Sequence, residues 1–181
     1  MQPEEFRLPE STVASLHDWH DFYILIATVA VTIIGAMFVV ASIASPYLTP
    51  TRAAQSRNYL SPIVLHLATA VLGCAAVMVP NLAEAGFVIL FGVGGLGGLV
   101  YSVLITVRIW HHNHDNEDRL WYAVVPVFGY IAMLVAVLLV LLNEPAAVDV
   151  LAGAVALLLV AGIRNAWDLT LFFVTRERGP D

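Results

Sequence analysis

The chain has 181 residues, of which 60% are hydrophobic and only 12% charged, and its mean hydropathy is +0.83. A soluble domain of this size would carry about a quarter charged residues, so the composition excludes a water-soluble fold. It predicts a single polytopic membrane domain over residues 1–181. The net charge of −6, with no basic run, argues against nucleic acid as a partner. Every basic residue is arginine, which removes lysine nucleophiles, Schiff bases and phosphate-binding P-loops. The single cysteine, Cys74, rules out an intramolecular disulfide and a cysteine metal cluster, and reads as a small buried hydrophobe.

Five apolar runs meet the length of ~20 residues that a bilayer-crossing helix needs. They are predicted at Phe22–Ser45, Leu60–Val79, Ala85–Arg108, Trp121–Leu142 and Val148–Val174. The leader before the first run is mainly acidic (Glu4, Glu5, Glu10, Asp18 and Asp21 against Arg7), unlike a secretory signal. Prolines and asparagines punctuate the runs. Pro46 and Pro50 break the chain after the first, Pro62 sits where a first-turn proline belongs, and Pro80-Asn81 and Asn143-Glu144-Pro145 make tight turns. The expected fold is therefore an all-α bundle of five transmembrane helices.

Arginine placement sets the expected orientation. The loop after the first run carries Arg52 and Arg57, the loop before the fourth is bounded by Arg108 and holds Arg119, and the tail carries Arg176 and Arg178. The two other turns hold only Glu84, Glu144 and Asp149. With five spans, the N-terminus is then outside and the C-terminus cytoplasmic. Trp19, Tyr47, Tyr59, Trp110 and Trp121 fall at the span ends, as an interfacial aromatic belt requires.

The last run contains Arg164-Asn165-Ala166-Trp167-Asp168. Charges in mid-bilayer cost at least ~2.5–3.5 kcal/mol each, so they must face protein, water or each other. Arg164, Trp167 and Asp168 share one helix face, with Asn165 at its margin. At ~1.5 Å per residue, Asp168 lies roughly 9 Å and Arg164 roughly 15 Å inside the cytoplasmic end. His66 on the second span is also roughly 9 Å deep by the same rise. Tyr101 and Ser102 on the third span and Tyr130 on the fourth reach similar levels. The expectation is a polar layer of Arg164, Asn165, Asp168, His66, Tyr101 and Tyr130 that either binds or relays, or fixes the helices in register.

Three further constellations carry weaker signals. In Gly92-Val93-Gly94-Gly95-Leu96-Gly97-Gly98 the GxxxG pair Gly94 and Gly98 predicts close helix packing, within the bundle or between copies. His17, His20 and Asp21 would share a face at the outer mouth of the first span, either as ligands for a divalent metal or as a hydrated helix end. The His111-His112-Asn113-His114 tract is rich in metal-ligand types, or is simply a hydrophilic turn. No cofactor is favoured, and a divalent metal is the one candidate. Two of the six histidines lie outside, and His66 alone lies in a span, so a histidine-box di-iron enzyme and a bis-histidine haem are disfavoured.

Ser61-Pro62 with His66 opening the second span, and Gly162-Ile163-Arg164-Asn165-Ala166-Trp167-Asp168 in the last, resemble a loose group of small bacterial inner-membrane proteins with no assigned activity. The resemblance implies a five-span protein of the bacterial inner membrane and carries over no chemistry. Short loops leave no room for a soluble catalytic domain. The leading expectation is thus a non-enzymatic protein that binds a partner or small ligand, as a homo-oligomer or an accessory subunit. An ion or proton channel or transporter, and metal or redox sensing through the histidines, are the alternatives.

Overall fold

The computed structural model describes residues 18–44, 50–80, 82–110 and 120–176. The chain forms α1 (His20–Ala44), α2 (Pro50–Val77), α3 (Glu84–Trp110), α4 (Val125–Leu141) and α5 (Ala147–Arg176). A π-helical turn over Leu120–Val124 leads into α4. No strand occurs among the described residues. Four stretches, His20–Ile43, Glu84–Val107, Leu120–Leu141 and Ala147–Leu171, are long and apolar enough to cross a membrane. The apolar part of α2, Pro62–Val77, is shorter. At ~1.5 Å per residue it covers roughly 24 Å, somewhat less than a hydrocarbon core of about 30 Å.

The start of α2 departs from the expectation. Pro50, rather than Pro62, opens the helix, and Pro62 lies inside it. The segment read as a loop, residues 50–59, is polar but contains Arg52, Ala53, Ala54, Gln55 and Arg57, all good helix formers. Pro62 removes the amide that would meet the Asn58 carbonyl, a loss that membrane helices tolerate when neighbours re-satisfy the backbone.

Helix α5 is the hub. It packs against α1, α2 and α4, while α3 lies against α2 and α4. Residue-level contacts fix the directions. A side chain at Gly73 would lie 3.3 Å from the Phe91 ring and 3.6 Å from Val155, so α2, α3 and α5 meet there. Gly162 abuts Leu67, so α2 and α5 run antiparallel. At the end holding the start of α1, the Trp19 indole donates to Asp149 (3.1 Å) and the Tyr23 hydroxyl to the Val148 carbonyl (3.4 Å). The core between these ends is apolar and includes Leu67, Ala70, Cys74, Leu151, Val155 and Leu158, with Cys74 buried as expected.

The α4–α5 turn closes tightly. Asn143 adopts φ 58°, the left-handed conformation that ends helices and that asparagine tolerates. Its amide donates to Val140 (2.9 Å) and that of Glu144 to Leu139 (2.9 Å). These two bonds make a Schellman cap, which satisfies carbonyls that hydrocarbon would leave bare. On the exposed side of α1, the hydroxyls of Thr28, Thr32 and Ser42 each donate to the carbonyl four residues back (2.8, 2.7 and 2.8 Å). They are thereby fit for an apolar surround.

Candidate functional site

The polar residues fall into three groups. The first joins α2, α3 and α4. His66, 1% exposed, approaches the Tyr130 hydroxyl through Nδ1 at 3.0 Å, and Thr69 Oγ1 lies 3.4 Å from the same hydroxyl. Thr69 also donates to the Leu65 carbonyl (2.8 Å). The Tyr130 ring rests on Gly98 of α3 so closely that a Cβ there would clash with the ring edge. Tyr101, one turn further along α3, is half-buried. His66 and Tyr130 were expected at a common depth, and they meet. Thr69, one helical turn from His66, was not singled out by the sequence.

The second group centres on Asn165, which is fully buried. Its Nδ2 donates to the Trp121 carbonyl (3.3 Å), and the Tyr122 hydroxyl donates to the Asn165 carbonyl (3.2 Å). The reason lies in the π turn. In an i→i+5 pattern, the Trp121 carbonyl would be met by the amide of residue 126, which is proline and has none. The Asn165 side chain therefore stands in for the missing donor and ties α5 to the foot of α4. Its own Oδ1 and the Oγ of Ser102 are buried without a hydrogen-bond partner among the described residues.

The third group is the ion pair Arg164–Asp168, formed within one turn of α5. Its side chains are 35% and 26% exposed, and the neighbouring Trp167 is 60% exposed. The expected order is thus reversed around this helix. Asn165, placed at the margin, faces the core, whereas Arg164, Trp167 and Asp168 lie on the outer side of the bundle. The hydrogen bond of His66 goes to Tyr130, not to Asp168. The polar residues do not line one interior chamber. They form two internal clamps and one charged outer face.

The glycine reading needs a matching correction. Gly98 packs against α4 as expected, but its companion is Gly95, where a Cβ would stand 2.9 Å from Leu134. Gly94 has nothing within 4 Å of where a Cβ would sit. GxxxG spacing does not determine which side of a helix meets its neighbour, and here the contact runs along the i,i+3 pair. Of the candidate metal ligands, His20 and Asp21 are exposed at the start of α1. His17, His111, His112 and His114 lie outside the described residues. No group of three histidine, cysteine, aspartate or glutamate side chains suited to a metal occurs among the described residues.

These features define an all-helical membrane protein with an enclosed, polar-clamped core and a charged face on its central helix. No protein-family model matches the chain, and no curated protein or solved structure is significantly similar to it.

Proposed function

We propose that the chain is a five-span protein of the bacterial inner membrane, N-terminus outside and C-terminus cytoplasmic, that binds a partner through α5 and performs no catalysis itself. The observation that carries this reading is the partly exposed Arg164–Asp168 pair beside the exposed Trp167. A face turned to lipid has no use for two charges, which remain costly even when paired. A face turned to another polypeptide does. Orientation rests on Arg52 and Arg57 at the start of α2, Arg108 and Arg119 on either side of the α3–α4 connection, and Arg176 and Arg178 at the end of the chain. The bacterial assignment rests on the resemblance of the α5 motif.

The apolar layer of Leu67, Ala70, Cys74 and Val155 favours the same reading over conduction, because a path inside one bundle would have to cross it. Native mass spectrometry from mild detergent tests the proposal. The wild-type chain should appear in an assembly larger than the monomer. The double variant R164L/D168L should lose that assembly while the monomer stays folded, since leucine suits a lipid-facing position at least as well. A wild-type chain recovered as a bare monomer, or an assembly indifferent to the double substitution, contradicts it.

A further inference from the structure

We propose that the foot of α4 holds a site for buried water, bound between Ser102 Oγ of α3 and Asn165 Oδ1 of α5. The site is independent of the partner-binding reading above. Its first support is a contrast among the hydroxyls. Thr28, Thr32, Ser42, Thr69, Thr106 and Thr170 each donate to the carbonyl four residues back, the cheapest way to satisfy a hydroxyl in an apolar surround. Among the described serines and threonines, Ser102 alone does not, although Gly98 stands at the same offset. Its Oγ is buried and unmet, and so is Asn165 Oδ1. Buried polar atoms without a protein partner are ordinarily served by internal water.

Both atoms border one turn of the chain. Gly98 meets the Tyr130 ring, and Gly95 meets Leu134 and Met133, so α3 and α4 run antiparallel. Ser102, one turn past Gly98 on the same face, is therefore level with Pro126, next to the π turn Leu120–Val124. That turn packs against both α3 and α5. Asn165 reaches it through Nδ2, which donates to the Trp121 carbonyl (3.3 Å). The carbonyl fixes which end of the amide is Nδ2, and Oδ1, the other end, stands at the π turn as well. Single π turns recur at functional sites in helices. The chemistry of the two atoms selects the occupant. Oδ1 only accepts, so the occupant must donate, which excludes an anion. A cation would need a counter-charge, and Asp168 is already paired with Arg164. Water donates twice and accepts twice, and so serves Oδ1 and Oγ together.

Two measurements on the full chain test the assignment. A structure of the lipid-bound protein at a resolution that shows solvent should reveal a water-sized peak within hydrogen-bond distance of both atoms. A map in which Ser102 Oγ turns back to the Gly98 carbonyl and Oδ1 stays bare, or one with a larger molecule between them, overturns the proposal. The second measurement is a cycle of reversible unfolding with Ser102→Ala, Asn165→Leu and the double variant. Removing a dry, unmet hydroxyl should stabilise the chain or leave it unchanged. Removing a water ligand should instead lower the folded-to-unfolded ratio roughly two- to tenfold, the worth of an ordinary hydrogen bond. In the Asn165→Leu background the same change should cost little, because leucine has no acceptor for the water to serve. Ser102→Ala at or above wild-type stability, or an effect equally large in both backgrounds, overturns the shared site.

Discussion

Replacing Asn165 by leucine is expected to destabilise the bundle by about 1–3 kcal/mol, the range for leaving a buried backbone acceptor unmet. The substitution removes the amide that serves the Trp121 carbonyl. It also removes the unpaired Oδ1, which offsets part of the loss and keeps the effect from growing larger. The diagnostic step is to add Pro126→Ala. Alanine restores an amide five residues after Trp121, so the double variant should recover much of what Asn165→Leu lost, while Pro126→Ala alone should change little. Interhelical hydrogen bonds in membranes are typically worth only ~0.6 kcal/mol, so a coupling near or above ~1 kcal/mol marks substitution for a missing donor rather than an ordinary contact. Reversible unfolding of the four chains in mixed micelles measures it. Strict additivity would show that Asn165 and Pro126 are independent.

Gly98→Ala should be the most damaging alanine substitution among the described glycines, and Gly94→Ala close to harmless. At Gly98 the added carbon would clash with the edge of the Tyr130 ring. That ring cannot simply swing aside, because its hydroxyl is held at 3.0 Å from His66 and 3.4 Å from Thr69. Overpacking of this kind costs about 1–3 kcal/mol and occasionally more. At Gly94 nothing lies within 4 Å, and the exchange gains up to ~1 kcal/mol of helix preference. Thermal inactivation of detergent-solubilised protein, followed by circular dichroism, should rank the chains Gly94→Ala at or above wild type and Gly98→Ala well below. The opposite ranking would mean that α3 meets its neighbour along the GxxxG ridge.

The long spans were legible because ~20-residue apolar runs admit few other meanings, and α1, α3, α4 and α5 lie within a few residues of their expected positions. The start of α2 was not. Prolines at 46, 50 and 62 suggested a loop, yet the intervening residues favour helix, and a proline at a helix start and one inside it look alike in a sequence. Depth placed His66 and Tyr130 in one layer but did not single out their bond, because Asp168 shares that depth and the bond goes to Tyr130 instead. Asn165 could not be assigned its role, because helix periodicity groups Arg164, Asn165, Trp167 and Asp168 on adjoining faces without showing which face meets the neighbouring helix. One signal was available, since a proline inside a span orphans a carbonyl, but the depths read from the sequence set Asn165 well inside the bilayer and Trp121 at its edge, and so did not bring the two together. The same ambiguity hid the outward position of the ion pair, which depends on how α1, α2 and α4 surround α5 and not on any local pattern.

The central claim is that protein, not lipid, covers the Arg164–Trp167–Asp168 face. It is tested most directly by fluorescence quenching with brominated phospholipids in reconstituted vesicles, using a chain in which Trp167 is the sole tryptophan. Its emission should be poorly quenched, and should become strongly quenched in the R164L/D168L variant. A tryptophan placed instead at the exposed Leu104 of α3 should be strongly quenched throughout. Quenching of Trp167 in the unaltered face as complete as that at position 104 would contradict the account.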